Sequence, residues 1–248
     1  MRVAAIYDVH GNLPALEAVV AEIESTGVDV IVVGGDMIPG PFPVETIELL
    51  RGLPLPVHFI SGNGERETLA LLKGEESKVP PQFHEGILWN GKQLERDHVE
   101  FVGSLAPQFL LDTSDAHGEV LFCHATPRND FEIFTKTTPE SNLKGVFDCG
   151  ADHVVCGHTH MQFDRVIGQV RVTNAGSVGM AFGSDKAQWL LIGDNRELRS
   201  TAYDRKAAAQ RILATDYPEA ESFVGKYVLS YPGEAEMVKL YESVAIRK

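Results

Sequence analysis

The chain has 248 residues, 44% of them hydrophobic and 23% charged, with 22 Lys+Arg against 35 Asp+Glu and a net charge of −13. That balance argues against a protein that grips long nucleic acid through a basic surface, or anionic lipid through a polybasic patch. No apolar run approaches the roughly 20 residues of a membrane helix, and the apolar stretch from Arg2 to Tyr7 runs into Asp8 too early for a secretory signal.

The first half alternates between two periodicities. Val3–Tyr7 reads as a buried strand. Leu13–Thr26 places Leu13, Leu16, Val19, Val20 and Ile23 on one helical face, with Pro14 in the first turn and Gly27 at the end. Val28–Val33 is a second strand, 44–51 a short helix, Pro56–Ile60 a third strand and Glu65–Lys73 a third helix. Strands separated by helices of this length predict βαβ units and parallel pairing. Residues 75–105 are less regular, with a helix expected over 93–105.

From residue 109 onward the texture changes to short β-runs. Phe109–Leu111, Glu119–Cys123, His153–Cys156, Gln162–Ile167, Gln169–Thr173, Gln188–Ile192 and Leu198–Tyr203 read as strands, a hairpin is expected at Gly168, and a helix over 139–148. This half predicts a second sheet. Residues 204–248 carry helical patterns over Arg205–Thr215 and Glu234–Val244, expected as a helical extension packed on a domain spanning 1–203. Phe223, Tyr227, Tyr231 and Tyr241 in that tail suit a cap on the core or an interface between copies, which leaves a homo-oligomer open. Cys123, Cys149 and Cys156 are odd in number, form no CxxC pair and sit beside apolar residues. They read as buried small side chains in a reducing, cytoplasmic protein.

The polar residues at the strand ends carry the chemistry. Asp8 and His10 follow the first strand, Gly34-Gly35-Asp36 the second, Gly62-Asn63-Gly64-Glu65 the third, His124 the strand ending at Cys123, and Gly157-His158-Thr159-His160 the strand ending at Cys156. The carboxyl ends of parallel strands share one edge, where ligands bind, so side chains 150 residues apart can converge there. Asp8, His10, Asp36, Asn63, His124, His158 and His160 form a mixed oxygen and nitrogen set suited to Mn²⁺, Fe²⁺, Zn²⁺, Co²⁺ or Ni²⁺. Seven donors exceed one tetrahedral site and suit two ions about 3.5–4 Å apart that share a carboxylate.

Asp-x-His, Gly-Asp, Gly-Asn, His and Gly-His-x-His, in this order over about residues 1–180, resemble the calcineurin-like metallophosphoesterase superfamily. Asp8-Val9-His10-Gly11-Asn12, His124-Ala125-Thr126-Pro127-Arg128 and Asn174-Ala175-Gly176-Ser177 are similar to its small bacterial and archaeal phosphodiesterase branch. The resemblance implies a four-layer αββα sandwich of two mixed β-sheets flanked by helices. It implies one metal held by Asp8, His10, Asp36 and His160 and another by Asp36, Asn63, His124 and His158, with Asp36 bridging. Asp8, His10, Asp36, Asn63 and His124 would carry catalysis: in-line attack on phosphorus by a hydroxide bridging two divalent ions, Mn first among them.

One position departs from the family. Many members carry a histidine after Gly-Asn that helps protonate the leaving group; here that position is Gly64. Loss of a general acid typically costs ~10²–10⁴-fold, which favours a substrate with a good leaving group or an acid supplied from elsewhere. His84 and His98 are candidates for that acid, each against a reading as a surface or packing residue. Arg128 reads equally as a phosphate contact or a solvated loop residue, Asn12 as a helix cap or a substrate contact, and Asn174 as an organiser of the nearby loop. Asp152 and His153 read as structural, and the charged run Glu65-Arg66-Glu67 as solvated, although Glu65 is close enough to the strand end to matter. Gly34, Gly35, Gly62 and Gly157 serve as turn residues or allow close backbone approach.

The expected function is therefore phosphoester hydrolysis, most directly of diesters, on a small phosphate ester rather than long nucleic acid or a membrane. The alternatives are a nucleotide phosphoanhydride hydrolase, a protein phosphatase, and a pseudoenzyme that keeps the fold for protein binding.

Overall fold

A computed structural model of the chain describes residues 1–113 and 118–247; Lys248, the end of the tail, lies outside the described residues. The first half follows the alternation read from the sequence: β1 (Val3–Ile6), α1 (Leu13–Thr26), β2 (Val30–Val33), α2 (Pro43–Arg51), β3 (Val57–Phe59) and α3 (Asn63–Leu72). α1 begins where the Asn12 side chain accepts from Ala15 N at 3.4 Å and ends at Gly27, whose φ of 69° only glycine adopts without strain.

Residues 75–105 are more regular than the sequence suggested. They hold two helices, α4 (His84–Gln93) and α5 (Arg96–Gly103). Gly86 and Gly91 weaken the helical signal of α4. Gly91 lets the helix lie close on α3, since a Cβ there would stand 3.3 Å from Leu72 Cβ.

The remaining elements are β4 (Gln108–Asp112), β5 (Glu119–Cys123), α6 (Glu140–Leu143), β6 (His153–Cys156), β7 (Phe163–Ile167), β8 (Val170–Asn174), β9 (Ala187–Ile192), β10 (Arg196–Thr201), α7 (Arg205–Leu213), α8 (Ala220–Phe223) and α9 (Glu234–Val244), with a π-helical turn at Val224–Val228.

Two five-stranded mixed sheets result, ordered β10-β9-β1-β2-β3 and β4-β5-β6-β8-β7. The second half therefore does not build one sheet alone: β9 returns to pair antiparallel with β1, and β10 pairs with β9. Likewise, the five strands that end in Asp, Asn or His do not share a single sheet. β1, β2 and β3 run parallel in the first, and β5 and β6 run parallel in the second.

Their carboxyl ends meet because the sheets pack face to face. Alternation along β1 sends Val3, Ala5 and Tyr7 into a layer with Val32, Val120, Phe122, Val155 and Leu190, while Ala4 and Ile6 face α1. Full burial of each large side chain contributes roughly 1.5–3 kcal/mol, which makes this layer the principal clamp between the sheets. Tyr7 Oη crosses it to donate to Val155 O at 3.0 Å.

Helices α1, α2 and α5 cover the outer face of the first sheet; the segment 134–151 with the short α6 covers the second through Phe134, Leu143, Val146 and Phe147. Cys123 and Cys156 lie buried in that second outer layer. Cys149 is exposed, contrary to the expectation from its sequence neighbours. The tail packs Ala208, Ile212, Tyr217 and Phe223 against Phe42 and Trp89. It then reaches the layer over the second sheet, where Ile246 N donates to Ile133 O at 2.9 Å. Among the described residues, no helix is long and apolar enough to cross a membrane.

Candidate metal centre

All seven side chains singled out in the sequence reach the seam between the two sheet edges. His10 Nε2 and His160 Nε2 lie 3.1 Å apart. His124 Nε2 stands 3.2 Å from Asn63 Oδ1, and the same amide atom stands 2.9 Å from His158 Nδ1. Two carboxylates sit between these groups. Asp36 Oδ2 is 3.6 Å from His10 Nε2 and 3.5 Å from His124 Nε2. Asp8 Oδ1 is 3.4 Å from His160 Nε2, 3.8 Å from His124 Nε2 and 4.0 Å from His10 Nε2. Both carboxylates therefore face both histidine groups, which for Asp8 goes beyond the single-ion role the resemblance gives it.

The backbone that presents these residues is strained. Asp8, His10, Asp36, His158 and His160 have φ values of 53°, 47°, 53°, 67° and 56°, and they are the non-glycine residues with positive φ among the described residues. Each such conformation costs roughly 1–3 kcal/mol and persists only where surrounding contacts fix it.

Those contacts are visible. Asp8 N donates to Gly35 O at 3.1 Å and His10 N to Asp36 O at 2.9 Å, which ties the β1 loop to the β2 loop. His158 N donates to Asp8 Oδ2 at 2.8 Å and Gly64 N to Asp36 Oδ1 at 2.6 Å, so each aspartate keeps one oxygen for the backbone and turns the other to the centre. Gly157 is required here, because a Cβ would stand 2.4 Å from Asp8 Oδ2. Asn174 braces the same loop through Gly157 O at 2.6 Å and Thr159 Oγ1 at 3.1 Å, and Ser177 Oγ donates to Asp8 O at 2.7 Å.

The donor set fits divalent cations on three counts. First, Nδ1 of His10, His124 and His160 faces the carbonyl oxygens of Pro39, Gly34 and Met180 at 3.3, 2.9 and 3.2 Å. A carbonyl only accepts, so Nδ1 carries the proton and Nε2 is left to ligate, the second-sphere arrangement of metal-binding histidines. Second, Asp8 Oδ1 is buried with no hydrogen-bond partner among the described residues. A buried carboxylate oxygen without a partner is costly unless a cation meets it. Third, His158 Nε2 is likewise buried with no hydrogen-bond partner among the described residues, and the neutral ring leaves it free to ligate.

The charges respond accordingly. Burial pushes the Asp36 carboxyl up, but the charge and hydrogen bond of His124 outweigh it and hold the net value well below the usual carboxylate range. Asp8 is likewise lowered, with burial opposed and overcome by His160. Burial alone would lower His124, yet the charge of Asp36 raises it to about 10. Burial and the charge on His124 hold His158 down to about 4, so it is neutral.

Glu65 positions the Asp36 loop, a part the sequence did not specify. The charged run was expected to be solvated, but Glu65 and Glu67 are both buried. The Glu65 carboxylate accepts from Asp36 N (2.8 Å), Met37 N (2.7 Å), Ile38 N (3.3 Å) and Gly62 N (2.8 Å), which fixes the loop that carries Asp36. Burial and the neighbouring charge of Asp36 raise its pKa to about 7. Glu67 accepts from Arg66 Nη1, from Ser77 Oγ at 2.6 Å and from Lys78 N at 3.0 Å.

The other candidates separate. Asn12 is fully buried, with its amide spent on Ala15 N and on Gly179 O (2.9 Å), so it caps α1 and does not face substrate. His98 is a buried residue of α5 and accepts from Glu95 N at 3.1 Å, while His84 Nε2 bonds Val79 O at 2.7 Å; neither reaches the centre. Arg128 is paired with Glu132 but lines a groove of about 460 Å³ that also contains His124, Arg66 and Asp130. A second cavity, of about 210 Å³, opens on the other flank beside His10, Asn63 and Gly64.

Comparison with known proteins agrees with this geometry. Residues 1–195 match the model of the calcineurin-like phosphoesterase superfamily domain. An uncharacterized protein of Methanocaldococcus jannaschii is 27% identical over 237 residues, covering 88% of this chain and 94% of that one. A hypothetical protein from Pyrococcus horikoshii OT3 has the same fold, with a TM-score of 0.79 at 20% identity over 94% of this chain and 98% of that one. A metallophosphoesterase from Sphaerobacter thermophilus superposes with a TM-score of 0.69 at 24% identity, over 91% of this chain and 97% of that one. The family match runs from β1 through β9 and takes in all seven converging side chains; the chain belongs to the calcineurin-like phosphoesterase superfamily, whose members use divalent metals.

Proposed function

We propose that the chain is a binuclear metal-dependent phosphoesterase that hydrolyses phosphodiesters with good leaving groups. The carrying observation is the convergence of Asp8, His10, Asp36, Asn63, His124, His158 and His160 on one seam, with Asp8 Oδ1 buried and unpartnered among the described residues. His10 and His160 with Asp8 would hold one cation, and Asn63, His124 and His158 the other, while Asp36 faces both sets. Two divalent cations, Mn²⁺ first among them, would supply the Lewis-acid charge that phosphoryl oxygens need and activate a water for in-line attack.

The chain's own groups set up that chemistry. Gly34, Pro39 and Met180 carbonyls orient three imidazoles, and the backbone amides of Gly64 and His158 aim the two aspartates. Arg128 and Arg66 line the groove beside His124, where Arg128 is paired with Glu132 and Arg66 with Asp130 and Glu67; on exchanging a carboxylate for substrate either would meet the equatorial oxygens of a phosphate.

No side chain can stand at Gly64 to protonate a leaving group. Ile38 O would lie 2.2 Å from its Cβ. This supports aryl or similarly acidic leaving groups over simple alkyl monoesters.

The test is hydrolysis of bis(p-nitrophenyl) phosphate by Mn²⁺-loaded protein. Asp8→Asn and His158→Ala should each abolish it. Full activity in both variants would remove the proposal.

A further inference from the structure

The walls of the cavity beside Gly64 are built by parts of the chain that bear none of the seven converging side chains. One wall comes from α4 and the segment before it (Val79, Phe83, Ile87). The other comes from the tail, with Tyr217, Glu219, Phe223 and Tyr227. The floor is the metal edge itself: His10, Asp36, Asn63 and Gly64.

Two features give this cavity a chemical character. Its tail wall is a continuous run of rings. Tyr217 and Phe223 have centroids 6.4 Å apart, and Phe223 and Tyr227 5.6 Å. Set among these rings is a carboxylate. Glu219 is half-buried, accepts a long 3.5 Å bond from Tyr217 Oη, and lies against α4 at Gly86, where a Cβ would stand 2.8 Å from Glu219 Oε1. Burial raises the pKa of Glu219.

Aromatic walls favour a flat π-system. A carboxylate set among them accepts from N–H donors and disfavours an anion. At about 210 Å³ the space is smaller than the ~300–1,000 Å³ pockets of drug-sized ligands, which suits one ring system and not a whole dinucleotide.

We propose that this cavity is the subsite for the amino-bearing nucleobase of a small nucleotide ester, stacked against Tyr227 and Phe223 with its amino group on Glu219. The assignment rests on the phosphoesterase reading above, because the floor of the cavity is the edge where the phosphate would lie.

The experiment uses the full-length, Mn²⁺-loaded protein and three diesters with one leaving group, the p-nitrophenyl esters of adenosine 5′-phosphate, phenyl phosphate and ethyl phosphate. Stacking and the amino contact should raise kcat/KM for the adenosine ester over the ethyl ester by roughly 5- to 150-fold, and above the phenyl ester as well. Tyr227→Ala should lower the adenosine-to-ethyl ratio, and Glu219→Gln the adenosine-to-phenyl ratio. Tyr227→Leu keeps the bulk without the ring if the alanine variant fails to fold.

A second readout needs no turnover. Adenosine should bind the metal-free protein in isothermal titration calorimetry, and Tyr227→Ala should weaken that binding. An adenosine ester no better than the other two, or adenosine that binds the Tyr227→Ala protein as tightly as wild type, overturns the subsite. Loss of all three activities overturns the phosphoesterase reading instead, and the subsite then stands or falls on adenosine binding.

Discussion

Gly64→His tests why this chain lacks the histidine that many relatives place after Gly-Asn. Restoring it looks like a gain of function, yet the structure leaves no room for any Cβ at 64. One there would lie 2.2 Å from Ile38 O, 2.9 Å from Asp36 Oδ1 and 3.0 Å from Pro39 Cδ. An ordinary C···O contact is about 3.3–3.6 Å, so the first turn of α3 or the Ile38 carbonyl must move by about 1 Å. Overpacking of this kind costs roughly 1–3 kcal/mol, which at ~2–4 °C per kcal/mol lowers Tm by about 2–12 °C. The movement also reaches the centre, because Gly64 N holds Asp36 Oδ1 at 2.6 Å; a 1 Å misplacement there can lower the rate ~10²-fold. Thermal unfolding followed by circular dichroism, with kinetics on an aryl phosphodiester, measures both effects. Gly64→Ala should reproduce the loss of stability, since the Cβ and not the imidazole causes it. A Gly64→His protein that melts within about 1 °C of wild type and turns over faster would refute the steric reasoning.

Three further outcomes follow from the site. Glu65→Ala should destabilise the protein by at least ~2 kcal/mol in urea unfolding and weaken metal binding, because four buried backbone N–H groups around Asp36 lose their acceptor. In the metal-free protein His124 is raised to about 10 from 6.5 by Asp36, so the stability it contributes is fully present below 6.5 and is lost as pH rises through about 10. A cation must displace that proton, so metal uptake at pH 8 should release about one proton per chain, read by calorimetry in buffers of different ionisation enthalpy. Asn12→Ala should cost roughly 0.5–2 kcal/mol of stability and leave KM for an aryl diester unchanged, the signature of a cap and not of a substrate contact.

The seven side chains were legible in the sequence because each follows a short apolar run, and strand ends are where a chain can gather distant residues. Their convergence was legible as well, although the edge is a seam between two sheets and not one sheet's rim. Alternation within β1 shows that one of its faces is buried, but not that β9 will return beside it from residue 187.

Glu65 shows the limit most clearly. In sequence it sits in a charged run, Glu65-Arg66-Glu67, that resembles a solvated helix face. Only the fold brings the β2 loop over the start of α3 and turns that carboxylate into the clamp on Asp36. α4 was hidden by Gly86 and Gly91, which weaken a helical pattern for the same reason that they permit its close packing. The aromatic cavity was out of reach altogether: Phe83 and Tyr227, far apart in the sequence, line it together only once the tail has folded back beside α4.

Anomalous diffraction from crystals of the Mn²⁺-loaded protein tests the central claim most directly. Two peaks about 3.5–4 Å apart are expected, with Asp36 between them, His10 and His160 at one and Asn63, His124 and His158 at the other. A single peak, or none at this seam, would contradict the account.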